Sequence, residues 1–311
     1  MAIYNLGSIN IDHVYHVPHL PLPGETLSAE GYTMGLGGKG ANQSVAAARA
    51  GALCYHIGAL GPGSDWVLAD MTGYGVDLRH VTRGDVPTGH AIIYVDPAAE
   101  NNIVLFPGAN RSLTAAMIDA ALAEARPQDT LMMQNETAMQ AEAARIAAAK
   151  GMRVIDSAAP FDIAAVRAVL PHVSLLVMNE VEAAQLRAAE GQLPPMDVII
   201  TKGAEGAEWI SAATEPLFVP AFKVTPVDTT GAGDTFIGTL VAGLDLGLDR
   251  AAAMRRASAT SAVQVTRAGA AQAIGVAQVG NVHPHAPGHL PDRFTGQGLY
   301  SLAIEAEVDG G

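Results

Sequence analysis

The strongest constraint on the fold is an alternation of two kinds of segment along most of the chain. Short runs of β-branched and other apolar residues are followed repeatedly by alanine-rich stretches with helical patterning. This order predicts α/β architecture: a three-layer αβα arrangement with a mainly parallel central sheet and helices on both faces. Strands are predicted at residues 3–10, 54–60, 130–134, 153–156, 175–178 and 198–201, and helices at 43–50, 65–74, 114–125, 138–149, 163–170 and 182–189.

Two segments interrupt this alternation. Residues 22–34 and 90–105 have the pattern of extended, partly polar strands, and the second contains a hairpin sequence. A parallel sheet does not easily absorb such strands, so a small separate β-sheet is predicted from about residues 9–35 and 88–106. We therefore expect one domain over residues 1–279. Residues 280–311 are rich in Gly, Pro and His without a sustained apolar period, which predicts an atypical C-terminal tail.

The charge and composition of the chain exclude several classes of partner. Of its 311 residues, 31 are acidic and 18 are basic, which gives a formal net charge of −13. This charge argues against nucleic acid or an anionic membrane surface as the main partner. The single cysteine, Cys54, leaves no intrachain disulfide, and neither a signal sequence nor a long apolar run is evident. A cytoplasmic protein without membrane spans is expected.

The sequence Asp-Thr-Thr-Gly-Ala-Gly-Asp at residues 228–234 precedes an apolar helical run. A glycine-rich turn that opens a helix directs free N–H groups and the positive end of the helix dipole at one point, which favours an anion such as phosphate. The carboxylate of Asp234 would repel that phosphate, so its presence suggests a base for the attacking hydroxyl. At a helix N-terminus its pKa should stay low. The predicted anion hole consists of Gly231, Ala232 and Gly233.

A second glycine-rich stretch, Gly-Leu-Gly-Gly-Lys-Gly-Ala-Asn-Gln, occupies residues 35–43 and runs into a helix that Gly51 should end. Glycines let the backbone approach a ligand closely, while Lys39 and Asn42 supply hydrogen-bond donors for hydroxyls or an anion. The stretch also fits the dinucleotide fingerprint. However, it does not follow the first strand of a βαβ unit, so a Rossmann dehydrogenase is not expected.

Together the two motifs resemble the signature pair of the PfkB carbohydrate kinases, the ribokinase-like family, and the resemblance extends over about residues 3–271. It implies an ATP-dependent phosphotransferase for a small sugar, with Mg²⁺ on the nucleotide. It also implies that the small β-sheet is a lid over the sugar and the contact surface of a homodimer.

The resemblance assigns roles to residues along the whole chain. The implied sugar contacts are Asn10, Asp12, Gly38, Lys39, Asn42 and Glu136, with Asn10 and Asp12 expected at the end of the first strand. The implied ATP contacts are Asn179, Thr201, Gly203 and Gly206.

The resemblance also implies two metal sites. Glu182 would help to hold Mg²⁺ through water. Asp228 and the carbonyl of Thr230 resemble a site for a monovalent cation such as K⁺, whose other half would lie in the loop 267–271. After this loop the family usually has Pro and Ser, where this chain has Gln272 and Ala273.

Ribose is the first expected substrate, with ribose 5-phosphate as the product. The resemblance is strongest in the Gly-Gly-Lys-Gly-Ala-Asn motif, in Asn10-x-Asp12 and in residues 108–110. Fructose, a keto-deoxy sugar acid or a nucleoside remain alternatives, and Tyr15, Tyr32 and Tyr94 are candidates for the aromatic wall that a nucleoside would need. An alternative of another class is a non-catalytic sugar sensor on the same fold.

Overall fold

A computed structural model describes residues 1–98 and 100–275 of the chain. The strands are β1 (Ala2–Leu6), β2 (Asn10–His16), β3 (Gly31–Gly37), β4 (Leu53–Leu60), β5 (Asp77–Arg83), β6 (Gly89–Val95), β7 (Asn101–Phe106), β8 (Thr130–Gln134), β9 (Arg153–Ser157), β10 (Leu175–Asn179), β11 (Asp197–Thr201), β12 (Gly206–Ile210) and β13 (Leu217–Pro220). The α-helices are α1 (Lys39–Arg49), α2 (Asp65–Gly73), α3 (Ala115–Ala121), α4 (Gln140–Ala149), α5 (Ile163–Val169), α6 (Glu180–Glu190), α7 (Ala232–Asp245) and α8 (Arg250–Gln264).

Nine strands form the central sheet in the order β13-β12-β11-β10-β9-β8-β1-β4-β5. The pairs from β11 to β5 are parallel, and only β12 and β13 run antiparallel to their neighbours. Alternate residues of each strand pack on opposite faces of the sheet, as the strand period requires. Ile3 and Ile155 pack in one core with residues of α1, α7 and α8, whereas Tyr4 and Val154 pack in another with residues of α3 and α4. The three-layer α/β prediction is confirmed.

The separate small sheet has four strands in the order β3-β2-β6-β7. The pair β2–β6 is parallel and the other two pairs are antiparallel. The strand predicted at residues 22–34 is shorter in the structure, because regular pairing begins only at Gly31. β7 is an edge strand, and all six of its residues are exposed.

One predicted strand divides into two. The strand expected over residues 3–10 ends at Leu6, and Asn10 begins β2 of the small sheet. The chain turns at Gly7 because it passes the start of α1 there: a Cβ on Gly7 would lie 2.4 Å from the Cα of Gly40. The placement of Asn10 and Asp12 at the end of the first strand was therefore wrong, since both lie on the second strand.

The helices of the described part of the chain include none that is long and apolar enough to cross a membrane. The predicted tail, residues 280–311, lies outside the described residues.

Candidate active site

A cleft of about 180 Å³ opens at the carboxyl ends of β9, β10 and β11, where the N-terminus of α7 meets the sheet. Ligands of α/β proteins bind at such strand ends. Many of the predicted site residues line it. They are Lys39, Asn179, Glu182, Thr201, Gly231, Ala232, Gly233 and Asp234.

Asp234 lies in the first turn of α7, and two side-chain amides hold its carboxylate. Asn42 Nδ2 donates to Oδ2 at 3.0 Å, and Gln43 Nε2 donates to Oδ1 at 3.0 Å. Burial raises the pKa of Asp234, against the lowering effects of Lys39 and the two amides. The expectation of a low pKa was therefore wrong: removal of the carboxylate from water outweighs these donors. A raised pKa makes the carboxylate a better proton acceptor.

The glycine-rich turn before α7 presents backbone amides to the cleft. Gly231 adopts a left-handed conformation with φ 76°, and the helix begins at the next residue. The amide of Ala232 donates to the carbonyl of Thr229 at 3.2 Å, so it belongs to the turn itself. Within residues 1–98 and 100–275, the amides of Gly233 and Asp234 have no protein acceptor. These two N–H groups, rather than that of Ala232, are available to an anion.

On the other side of Asp234, buried polar groups converge at the start of β2. Asn110 Nδ2 donates to Asn10 Oδ1 at 2.8 Å, and Asn110 Oδ1 accepts from the amide of Ile9 at 2.9 Å. Gly89 makes room for this pair, because a Cβ there would lie 2.4 Å from Asn10 Oδ1. Gly38, with φ 92°, allows the chain to pass Asn10 before α1 starts. The Asn10 side chain is thus held by its hydrogen bond from Asn110, in the space that Gly89 leaves.

Asp12 lies two residues further along the same face of β2. Its carboxylate occupies the space beside Gly37, where a Cβ would lie 2.1 Å from Oδ2. Burial and the nearby charge of Glu136 raise the pKa of Asp12 to about 6, although Lys39 lowers it. Asp12 is therefore ionised at neutral pH but titrates near it.

Glu136 joins the loop after β8 to the start of α1. Its Oε2 accepts from Ser8 Oγ at 2.5 Å and from the backbone amide of Lys39 at 3.2 Å, and Lys39 Nζ lies 3.9 Å from Oε1. Burial lowers the pKa of Lys39, but Asp234, Glu136 and other carboxylates raise it overall. The ammonium group therefore stays charged among acids.

A chain of buried side chains connects Asp234 with the core. Gln134 Nε2 donates to Gln43 Oε1 at 2.6 Å and to Asn5 Oδ1 at 2.8 Å. Asn5 Nδ2 in turn donates to Ser44 Oγ at 2.8 Å. The network fixes the orientation of Gln43, and hence of the Asp234 carboxylate.

Comparison with known proteins places this geometry in a family. A family model described as "pfkB family carbohydrate kinase" matches residues 3–275. A ribokinase of Haemophilus influenzae is 36% identical over 290 residues, which cover 86% of this chain and 94% of the relative. The chain belongs to the PfkB family of carbohydrate kinases. It is an ATP-dependent sugar phosphotransferase.

Two other PfkB relatives bear on the substrate and the nucleotide. A deoxyribokinase of Salmonella typhi is 30% identical over 290 residues, which cover 86% of this chain and 94% of the relative. The structure of Arabidopsis thaliana ribokinase complexed with ribose and ATP has a TM-score of 0.77 at 25% identity, and the match covers 89% of this chain and 96% of that one. Sugar and nucleotide are thus the small-molecule substrates expected of this chain's family.

The predicted nucleotide residues of this PfkB chain fall into two groups. Asn179 and Glu182 form a capping box at the start of α6: Asn179 Oδ1 accepts from the amide of Glu182 at 2.9 Å, and Glu182 Oε2 accepts from that of Asn179 at 2.8 Å. They line the cleft together with Thr201. Gly203 and Gly206 do not line it. Gly206 is required by packing, because a Cβ there would lie 2.2 Å from Val219 O.

The predicted metal sites of the PfkB chain differ in their fit. Glu182 lines the cleft, and its second carboxylate oxygen can bind a water of Mg²⁺, which keeps several waters in proteins. The proposed potassium site does not fit. Its carbonyl ligand Thr230 O already accepts from Gln264 Nε2 at 2.7 Å, and Asp228 already accepts the amides of Thr230 and Gly269.

Several residues of this PfkB site were not predicted from the sequence. Ser8, Gln43, Asn110 and Gln264 each contact a predicted site residue or its backbone, and Gln134 contacts Gln43. Gln43 and Asn110 lay within recognised motifs, but no role was predicted for either. Gln134 was visible as a polar residue at the end of an apolar strand, which is where a parallel sheet binds its ligands.

Proposed function

We propose that this chain transfers the γ-phosphate of ATP to the primary hydroxyl of ribose and forms ribose 5-phosphate. The observation that carries the proposal is the position of Asp234, whose carboxylate is held by Asn42 and Gln43 beside two free helix amides. A base and an anion-binding turn in the same place suit an alcohol that attacks a phosphoryl group.

The proposed mechanism assigns a role to each group. Asp234 orients the sugar hydroxyl and accepts its proton as the bond to phosphorus forms. The amides of Gly233 and Asp234 stabilise charge on the transferring phosphoryl group, with Gly231 shaping their turn. Lys39 offers a permanent positive charge between Glu136 and Asp234. Bound Mg²⁺ would neutralise phosphate charge, with Glu182 as the residue that holds it through water.

The sugar would bind on the β2 side of Asp234. Asp12 can accept hydrogen bonds from two adjacent hydroxyls, and Asn10, Lys39 and Asn42 can contact the others. The assignment of Gly38 and Glu136 to this subsite stays part of the proposal, as does that of Gly203 and Gly206 to the nucleotide subsite. The ribokinase relatives favour ribose, and the deoxyribokinase makes 2-deoxyribose the second candidate.

The tyrosines of the small sheet argue against a nucleoside substrate. Tyr15 packs on Tyr32 and Tyr94, with ring centroids 5.0 and 6.0 Å apart. Tyr15 lies three residues after Asp12 on the same strand, so the two side chains point to opposite faces. The aromatic row therefore faces away from Asp12 and gives no stacking wall for a base there.

The tyrosine-bearing face of the small sheet supports the proposal that this sheet, besides being a lid, is the dimer contact. Exposed apolar side chains cluster beside the tyrosine row on β3 and β7. They are Tyr32, Met34, Val104 and Phe106, with exposed fractions of 45–63%. An apolar sheet face that ends in an unpaired edge strand suits a second copy of the chain.

The test is ADP release with Mg·ATP across ribose, 2-deoxyribose, fructose, keto-deoxy sugar acids and nucleosides. We expect ribose to be turned over with the highest kcat/KM and Asp234→Asn to lower kcat by about 10²- to 10⁴-fold. Ribose affinity should survive in this variant. Tight ribose binding without turnover in the wild-type protein would instead favour the sugar sensor.

A further inference from the structure

We infer that the side-chain amide of Gln264 occupies the position of the monovalent cation expected beside Asp228, so that this kinase works without potassium. The effect on turnover rests on the proposed function. The effect on cation binding does not, because it concerns the free protein.

Gln264 is the last residue of α8, and its side chain is fully buried. Its Nε2 donates to Thr230 O at 2.7 Å and to Gly269 O at 3.2 Å. A carboxamide nitrogen has two N–H groups, so both are used. Backbone carbonyls that converge in this way can replace the hydration shell of a potassium ion. Here the two carbonyl oxygens accept hydrogen bonds from Gln264 Nε2 instead. This nitrogen is covalently part of the chain, so it cannot dissociate as an ion would.

The carboxylate beside them is also satisfied by the protein. Asp228 Oδ1 accepts from the amide of Thr230 at 2.9 Å, and Oδ2 accepts from that of Gly269 at 2.8 Å. Burial raises the pKa of Asp228, but a hydrogen bond from the Thr230 side chain and those from the two backbone amides lower it overall, so the group is ionised at neutral pH. Its negative charge is therefore stabilised by oriented N–H dipoles without a metal ion.

The contacts of Gln264 connect two loops: the loop before α7, which contains the anion-binding turn, and the loop after α8, which packs against it. Val265 O accepts from the amides of Val227 and Asp228 at 2.7 and 3.2 Å. Ala270 packs against the turn, since a Cβ on Gly231 would lie 3.3 Å from its Cβ. Gln264 closes this arrangement by bridging one carbonyl from each loop. It thereby holds the turn that presents the amides of Gly233 and Asp234.

The oxygen of the Gln264 amide, unlike its nitrogen, makes no stabilising contact. Within the described residues, Oε1 is buried and accepts no hydrogen bond. A buried acceptor without a donor lowers the stability of the folded state. An apolar side chain of similar length would avoid this cost, so the contribution of the glutamine lies in its two N–H contacts.

The experiment compares potassium chloride with choline chloride at constant ionic strength, using the full chain. The first readout is the melting temperature without substrates, which rises with any cation that binds the folded state selectively. The second is ribose-dependent ADP release. The variants are Gln264→Ala, which opens a space between the carbonyls, and Gln264→Met, which fills it without donors. Ser258→Ala is the control, because it removes a different side-chain contact from α8 to a backbone carbonyl, that of Pro220.

We expect the wild-type protein and Ser258→Ala to respond to potassium by less than about twofold in rate and not at all in melting temperature. Gln264→Ala should lose roughly tenfold or more in rate in choline, and potassium should restore part of that rate and raise its melting temperature. Gln264→Met should lose rate without rescue.

Two results would overturn the inference. One is potassium activation or stabilisation of the wild-type protein, which would mean that the amide yields its place to the ion. The other is a Gln264→Ala variant that keeps full rate and stability in choline. If no sugar is turned over, the melting temperatures of the wild-type protein and Gln264→Ala still decide the structural part.

Discussion

At the scale of single residues, the site depends on acids whose surroundings set their charge. Asp12 and Asp234 are both half-buried near other carboxylates, and their partial removal from water raises the pKa of each. Lys39 is the nearby cation that lowers both pKa values. Small changes of pH or of neighbouring charge should therefore alter the binding of the sugar before they alter the fold.

The affinity for the sugar should depend on the ionisation of Asp12. Its pKa of about 6 means that acidification through this value replaces a carboxylate, which accepts hydroxyl protons, by a neutral acid. We expect KM for ribose to rise as the pH falls below about 6. KM for ATP should change little. In the Asp12→Asn variant, KM for ribose should be high and independent of pH. A wild-type KM for ribose that stays constant through this pH range would contradict the role assigned to Asp12.

A second buried acid, Asp156, should affect stability rather than binding. It lies on β9, fully buried, with no partner for either carboxylate oxygen among the described residues, and burial raises its pKa to about 7. The folded protein thus binds a proton that the unfolded chain releases near pH 4. Stability from this group is complete below about pH 4 and is lost as the pH rises through about 7.

Asp156→Asn should therefore change how the free energy of unfolding depends on pH. From the pKa difference, the variant should gain up to about 4 kcal/mol on the wild-type protein between about pH 4 and pH 8. Urea unfolding of both proteins across this range measures the difference. Parallel curves would show that the carboxyl group is hydrated or paired.

At the scale of elements, most strands and helices of the central sheet were predictable because each carries its own apolar period. β8 has the predicted bounds, and the ends of β4, β9 and β10 differ by one residue. β5, β13 and α8 were not predicted. β5 is polar at several positions because it lies at the sheet edge, so its apolar pattern is weak.

Residues of the candidate site were predictable only where they lie within a local sequence motif. The turn before α7 and the start of α1 are two such motifs. The structure brings Asp234 and Asn42, one from each motif, together from positions 192 residues apart. The contacts of Gln43, Gln134 and Gln264 follow from packing between distant elements. A single amide side chain gives no periodic or turn signal, so its partners could not be read from the sequence.

The approach of α1 to the β1–β2 turn should be intolerant of any side chain. A Cβ on Gly40 would lie 2.3 Å from the Cα of Gly7. Gly40→Ala should therefore destabilise the protein by about 2–4 kcal/mol and weaken sugar binding, because α1 carries Lys39 and Asn42. Gly73→Ala is the control. It is also in a helix, but a Cβ there meets no atom within 4 Å. Chemical denaturation of both variants measures the difference, and equal stabilities would show that the turn relaxes.

At the scale of the whole molecule, the small sheet carries a cluster of exposed apolar side chains on one face. We expect a dimer in solution that buries the face with Val104 and Tyr32. Val104→Lys should shift the protein to monomers, because each copy would place a charge in the interface. Leu246→Lys, at an exposed site with 52% exposure on another surface, is the control. Sedimentation at several concentrations measures both, and a wild-type monomer would exclude the proposal.

The short connection from β1 to β2 has a mechanical consequence. Only residues 7–9 separate the central sheet from the strand that carries Asn10 and Asp12, and that strand is hydrogen-bonded along its length to β3 and β6. We therefore expect Asn10 and Asp12 to move together with the small sheet rather than independently of it. Because the proposed sugar contacts and the proposed lid belong to the same sheet, we expect sugar release and lid opening to occur as a single event.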